Sequence, residues 1–301
     1  MRSLLFLAVL LALPLAAFAQ PAPERVRFES LDLVEGEPVR IEGLLFVPEG
    51  AAPEGGRAAV IALHGCGGIY SDAKGREGRL SARHAAQARS LVAAGYAVLL
   101  PDSFGPRGRR EVCTIPSAER TIRPAQRRLD ALGALRWLGR QADIDPSRIA
   151  LLGWSHGGST TLAAVNAADP QVAAFREARD APPFFRTAIA FYPGCNVSLR
   201  DARWKPAVPL AILIGADDDW TPAAPCEALG VRGRDAKWPL EVTVYPGAHH
   251  GFDAPGGEVR LLRNVPNGAK PGEGVHVGPN PKAREEANAK VAAILREALA
   301  R

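Results

Sequence analysis

The pentapeptide Gly153-Trp154-Ser155-His156-Gly157 constrains this chain more than any other feature, because it joins the apolar run Ile149–Leu152 directly to a small-residue stretch beginning at Gly158. Strand, sharp turn and helix follow one another with no spare residue between them. A serine at the tip of such a turn is held in a strained backbone conformation, and glycine at 153 and 157 lets strand and helix approach without a Cβ clash. The spacing predicts a hydroxyl displayed at the edge of a sheet, rather than a turn that merely connects two elements.

The rest of the chain supplies that sheet. Val26–Leu33 and Val39–Val47 flank the turn signal Glu35-Gly36-Glu37-Pro38 and read as a β-hairpin. The runs Ala58–Leu63, Tyr96–Leu100, Ile149–Leu152, Thr187–Tyr192, Leu210–Ile214 and Glu241–Tyr245 are apolar enough for strands covered on both faces. Helical stretches lie between or after them: Ser81–Ala94 closed by Gly95, Pro124–Arg140, Gly158–Ala168 and Lys282–Ala300. Strands alternating with helices imply right-handed crossovers and an α/β fold, a mostly parallel eight-stranded sheet with helices on both faces, whose ligands sit beyond the carboxyl ends of the strands. Residues 20–301 are long enough for one such domain. The Gly- and Pro-rich stretch Asp253–Pro281 shows no clear periodicity and is expected to form an irregular flap near the site.

A serine hydroxyl is a weak nucleophile, so the site needs a general base and a carboxylate that orients the base. The acid is expected where Leu210–Ile214 runs into Gly215-Ala216-Asp217-Asp218-Asp219-Trp220-Thr221-Pro222. Of the adjacent carboxylates Asp218 is chosen, since alternation along the turn points its neighbours elsewhere; Asp217 and Asp219 are then solvated or cap the loop. The base is expected after the last strand, in Ala248-His249-His250-Gly251-Phe252. Glycine beside His250 leaves its ring room to swing toward the serine, and His249 is left to pack or bond locally. Donors for a developing oxyanion are expected from the backbone N–H groups of Cys66, in Leu63-His64-Gly65-Cys66-Gly67-Gly68, and of His156. His64 holds that loop by hydrogen bonds.

Other chemistries lack their motifs. Tyr70 stands where a dinucleotide fingerprint starting at Gly65 needs glycine or alanine, no phosphate loop ends in Gly-Lys-Ser or Gly-Lys-Thr, and no His-Glu-x-x-His spacing suggests a metal. No cofactor is expected. The net charge of +5 is spread along the chain without the aromatic interleaving of a nucleic-acid binder, although Arg107, Arg109 and Arg110 cluster, as do Arg120, Arg123, Arg127 and Arg128. Those clusters read as solvated faces, with an anion-attracting patch as the rival reading. Oligomeric state leaves no mark in the sequence.

Met1 and Arg2, the apolar stretch Leu4–Leu13 and the small residues Ala17-Phe18-Ala19 form a signal-peptide pattern over residues 1–19. The run falls short of a membrane span, and no cysteine follows it to carry a lipid, so an exported protein, periplasmic or extracellular and without a stable membrane anchor, is expected. In an oxidising compartment Cys66, Cys113, Cys195 and Cys226 are candidates for two disulfides.

Taken together, Leu63–Gly68, Gly153–Gly157, Gly215-Ala216-Asp217-Asp218 and His250-Gly251-Phe252 resemble the dienelactone hydrolase family over nearly the whole mature chain. The resemblance implies an α/β-hydrolase fold, no cofactor, and hydrolysis of small-molecule esters or lactones through an acyl-enzyme, with Ser155, Asp218 and His250 as catalytic triad. Family members that open dienelactone itself carry a cysteine nucleophile, and this chain departs from them at Ser155. The strand order usual for the fold places the strands before Cys66 and Cys113 side by side, and likewise those before Cys195 and Cys226, which implies those two bridges. Peptidase or acyltransferase chemistry on the same residues, and a noncatalytic binding protein on the same scaffold, are the rival functions.

Overall fold

The apolar runs assemble into one eight-stranded sheet, seen in a computed structural model that describes residues 22–300. The expected signal peptide, residues 1–19, lies outside the described residues. The strands are β1 Glu24–Val34, β2 Glu37–Phe46, β3 Arg57–Leu63, β4 Ala97–Asp102, β5 Ile144–Trp154, β6 Thr187–Phe191, β7 Leu210–Gly215 and β8 Leu240–Tyr245, in the spatial order β1-β2-β4-β3-β5-β6-β7-β8. The β1–β2 hairpin and the β2–β4 pair are antiparallel, and every other pair is parallel. Burial explains the sequence pattern. β3, β6 and β7 are buried at every residue, which requires helices on both faces of the sheet, whereas the edge strand β1 alternates exposed and buried positions.

Helices α1 Ala82–Ala93, α2 Pro124–Leu138, α3 His156–Ala164, α4 Pro170–Glu177, α5 Asn196–Arg200 and α6 Ala223–Asp235 fill the crossovers, and α7 Pro281–Ala298 follows the last strands. The Ser81 side chain caps α1 by accepting from His84 N–H, and Gly95 just past its end takes φ 91°. Pro124 starts α2 where no N–H is needed, and the Asn280 side chain caps α7.

Several features differ from the sequence expectation, among them helices α4 and α5, which none of the expected helical stretches covers. Helix α3 begins at His156 rather than Gly158, so its first turn reaches back to the residue after the serine. Helix α6 was hidden by Pro222, Pro225, Gly230 and Gly233, poor helix formers; a Cβ at Gly230 would crowd Val242 and one at Gly233 would crowd Leu240, so these glycines let the helix lie close on β8. The stretch Asp253–Pro281 is not wholly irregular: β9 Arg260–Leu262 and β10 Val275–Val277 pair antiparallel within it. Among the described residues no helix is long and apolar enough to cross a membrane.

Candidate active site

The turn between β5 and α3 has the strain its sequence implies. Ser155 takes φ 54° and ψ −115°, a region L-residues rarely occupy. A Cβ at Gly153 would overlap Gly157 O and Thr161 Oγ1, and one at Gly157 would overlap Leu63 O and His64 O. Glycine is thus required at both positions by space, which is what lets the turn pack under β3.

Two distant loops meet this serine. His250 Nε2 lies 2.9 Å from Ser155 Oγ, and His250 Nδ1 lies 2.8 Å from Asp218 Oδ2. An imidazole that donates from Nδ1 to a carboxylate keeps its Nε2 lone pair for the serine proton. Asp218 is 4% exposed, and its Oδ1 accepts the N–H groups of Trp220 at 2.9 Å and Thr221 at 2.8 Å. These bonds fix the carboxylate in its turn. Asp217 is exposed and its carbonyl engages His249 Nδ1 at 2.9 Å, so both neighbours of the pair are occupied locally. Asp219 does more than cap its loop: it accepts His276 N–H at 2.8 Å and contacts His276 Nδ1 at 2.6 Å, tying the 253–281 segment to this turn.

The loop after β3 is organised by His64, which is fully buried. Its Nε2 accepts Ser103 N–H at 3.2 Å, so the ring proton sits on Nδ1, which donates to Gly65 O at 2.7 Å. Gly65 C=O and Cys66 N–H belong to one planar trans peptide, so anchoring the oxygen aims the N–H the opposite way. Burial, reinforced by Arg127, holds the His64 pKa well below its ordinary value and keeps the ring neutral. His156 is the first residue of α3, where N–H groups have no intrahelical acceptor and the helix dipole favours negative charge.

Disulfides join Cys66 to Cys113 and Cys195 to Cys226, with Cα separations of 4.9 and 5.1 Å. The first closes the loop that continues from β4 onto the His64 loop, and the second ties the start of α5 to α6.

Several residues around the site carried no motif. Tyr192, at φ 35° just past β6, packs its ring at a tilt against His250 with centroids 4.5 Å apart, and Trp220 lies 4.8 Å away. Thr221 Oγ1 lies 3.0 Å from Tyr192 O and 3.1 Å from Asp218 Oδ2. Arg127 is fully buried and bonds His156 Nδ1 and His64 O; its sequence signal was a charge on an otherwise apolar helix stripe. The arginine clusters are not simply solvated faces. Arg107 pairs with Asp32 and Asp130, while Arg120, Arg123 and Arg128 line a cleft of about 680 Å³ that also contains Ser155, Trp204 and Trp220. A roomier recess of about 830 Å³ beside the β1–β2 hairpin and Arg107 contains none of the candidate catalytic residues, so the chemistry points to the first. Among the described residues no three His, Cys, Asp or Glu side chains gather to hold a metal ion.

Solved structures share this architecture. The chain is similar to the dienelactone hydrolase-like promiscuous phosphotriesterase P91 from metagenomic libraries, at 20% identity and a TM-score of 0.60, covering 92% of this chain and 99% of that one. It is similar to Thermogutta terrifontis esterase 2 phosphorylated by paraoxon, at 19% identity and a TM-score of 0.58, covering 93% and 95%. Likenesses at such identities speak for the fold alone. No curated protein matches the chain. The family does not rest on shape, however: residues 41–299 match the family model as a sequence, from β2 through the serine turn and both partner loops to the end of α7, and the chain belongs to the dienelactone hydrolase family.

Proposed function

We propose that this hydrolase is a serine enzyme that cleaves carboxylic esters or lactones through an acyl-enzyme, with Ser155 as nucleophile, His250 as general base and Asp218 as its orienting acid. The observation that carries the reading is the His250 imidazole engaged at both nitrogens, with Ser155 Oγ at 2.9 Å and Asp218 Oδ2 at 2.8 Å. His250 takes the serine proton as Oγ attacks the carbonyl. The N–H groups of Cys66 and His156 receive the oxyanion, and the imidazolium returns the proton to the leaving alcohol. Water, deprotonated by His250, then releases the acid. For a lactone the leaving alcohol remains part of the acyl group, so that last step releases a single hydroxy acid.

The cleft of about 680 Å³ beside Ser155 suits a small-molecule substrate. Two disulfides support an oxidising, exported setting for a domain spanning 20–301. The neighbours' acceptance of organophosphates suggests that paraoxon phosphorylates Ser155 as well. The decisive experiment is turnover of p-nitrophenyl esters and lactones by Ser155→Ala, with intact-mass detection of a fluorophosphonate adduct. Loss of about 10⁴-fold or more in kcat, and loss of the adduct, is expected. Turnover retained in Ser155→Ala would end the proposal.

A further inference from the structure

Arg127 interrupts an apolar helix stripe. It shares a face of α2 with Ala131, Ala134 and Leu138, all fully buried, and is itself fully buried. A cation in such a place is costly unless its bonds are satisfied. The guanidinium bonds go to two neutral acceptors: Nη1 to His156 Nδ1 at 2.8 Å and Nη2 to His64 O at 2.9 Å. The ring of Phe104 lies 5.0 Å from its carbon and edges onto both histidine rings.

Each bond has a chemical consequence. To accept from Nη1, His156 Nδ1 must be unprotonated, so a neutral ring carries its proton on Nε2. The His64 carbonyl, held by Nη2, also faces the start of α3, since a Cβ at Gly157 would overlap it. One side chain therefore bridges the loop after β3 and the first turn of α3. Burial and then the Arg127 charge both hold the His64 and His156 pKa values well below the ordinary value, so neither ring competes as a base with His250.

The geometry points to Arg127 as the positioning residue of the oxyanion site: its buried guanidinium ties the loop bearing the Cys66 N–H to the helix start bearing the His156 N–H, and sets a positive charge behind the oxygen that becomes negative. The inference rests on the reading of Ser155 as nucleophile and of these two N–H groups as donors. Fixed charge in a water-poor site stabilises a developing oxyanion without reorganising during the reaction.

The test compares wild-type chain, Arg127→Met and Arg127→Lys on p-nitrophenyl butyrate, together with inhibition by a trifluoromethyl ketone, whose adduct with a serine carries a tetrahedral oxyanion. Arg127→Met is expected to lower kcat about 100-fold with KM within about threefold, and to weaken the ketone by the same factor as kcat/KM. Arg127→Lys, which keeps the charge but not the fork, is expected to recover about tenfold of that loss. A kcat within about twofold of wild type in folded Arg127→Met, or a fall in kcat with ketone affinity unchanged, would overturn the inference. Should Arg127→Met fail to fold, ¹⁵N spectra of the wild-type histidines decide: His64 and His156 are expected to stay neutral from pH 7 to about 5.5, with protons on Nδ1 and Nε2 respectively, and titration of either in that range refutes it. Ser155→Ala separates the two levels. If it is inactive while Arg127→Met behaves as wild type, only this inference falls; if it is active, the serine mechanism falls and takes this inference with it.

Discussion

Tyr192 lies against the His250 imidazole with 4.5 Å between ring centroids, and its hydroxyl donates at 2.6 Å to the buried Asp253, three residues further along the same loop. One side chain thus holds both the ring and the chain that carries it. Arg83 of α1 completes the brace, pairing with Asp253 at 3.1 Å and donating to Gly251 O at 3.3 Å. The left-handed backbone of Tyr192, at φ 35°, costs about 1–3 kcal/mol, a strain such packing over-determines.

Removing that hydroxyl tests the brace. Tyr192→Phe keeps the ring against His250 but takes a donor from a fully buried carboxylate, and is expected to lower unfolding free energy by about 1–3 kcal/mol. Urea unfolding of the two chains measures it. Unchanged stability would mean that Arg83 alone satisfies Asp253.

Gly157→Ala places a methyl where Leu63 O and His64 O already stand. Backbone on both sides cannot yield as a flexible side chain would, so β3 and α3 must part. The expected cost is about 1–3 kcal/mol of stability and at least tenfold in kcat, because the shift moves the loop carrying Cys66. An active, fully stable Gly157→Ala would show that the close approach is not needed.

The residues legible in the sequence were those whose role demands a local pattern. Two glycines two places from Ser155 on either side, and His250 preceding a glycine, are short-range signatures, and continuous apolar runs marked strands buried on both faces. Alternation along the turn singled out Asp218, and it is Asp218 that is buried and meets His250, while Asp217 is exposed. Arg83, Arg127, Tyr192 and Asp253 were not, since each acts through a partner on another element: Arg83 and Asp253 are 170 positions apart in the chain and no spacing rule links them. Helix α6 was lost because its glycines serve contact with β8 rather than helix propensity.

The two disulfides are expected to separate stability from activity. Each closes a loop, of 47 residues for Cys66–Cys113 and 31 for Cys195–Cys226, so removing either pair by Cys→Ser substitution should cost about 2–4 kcal/mol. Only the first is joined to a proposed oxyanion donor, so Cys66→Ser with Cys113→Ser should also lower kcat, whereas the other double variant should keep it well below its unfolding temperature. Equal losses of kcat would contradict this.

Buried neutral histidines make the fold acid-sensitive. His84 is 4% exposed, and burial followed by repulsion from Arg83 pulls its pKa from 6.5 to about 4. Below pH 6.5 the unfolded chain takes up a proton that the folded chain refuses, so the stability this residue contributes is whole above 6.5 and is lost as pH falls toward about 4. Over that window His84 alone accounts for about 3 kcal/mol, and His64 and His156 act in the same direction. Urea unfolding at pH 7 and at about pH 4.5 should show the fall, and His84→Gln should flatten it. A pH-independent midpoint would contradict the neutral assignment.

Asp219 and His276 join the 253–281 segment to the site, and their separation predicts where a break is felt. Asp219 holds His276 through both carboxylate oxygens and its own carbonyl accepts Ala269 N–H at 2.7 Å, while Gly278 N–H donates to His250 O at 3.1 Å. The segment is therefore fastened to the turns of Asp218 and of His250. Two residues before the Ala269 tie, Asn267 lines the cleft and accepts from Ser117 N–H at 2.8 Å, bridging to the chain that continues from Cys113. The side chains of Asp219 and His276 are 35% and 47% exposed, and a pair so wet is worth no more than about 1 kcal/mol. His276→Ala should accordingly leave the unfolding midpoint almost unmoved, yet free the stretch that shapes one wall of the cleft. KM for a bulky p-nitrophenyl ester should rise severalfold while that for the acetate stays constant, with kcat little changed for either. A fall in kcat for both esters at constant KM would instead place the effect in the turn of Asp218, one residue from the broken contact.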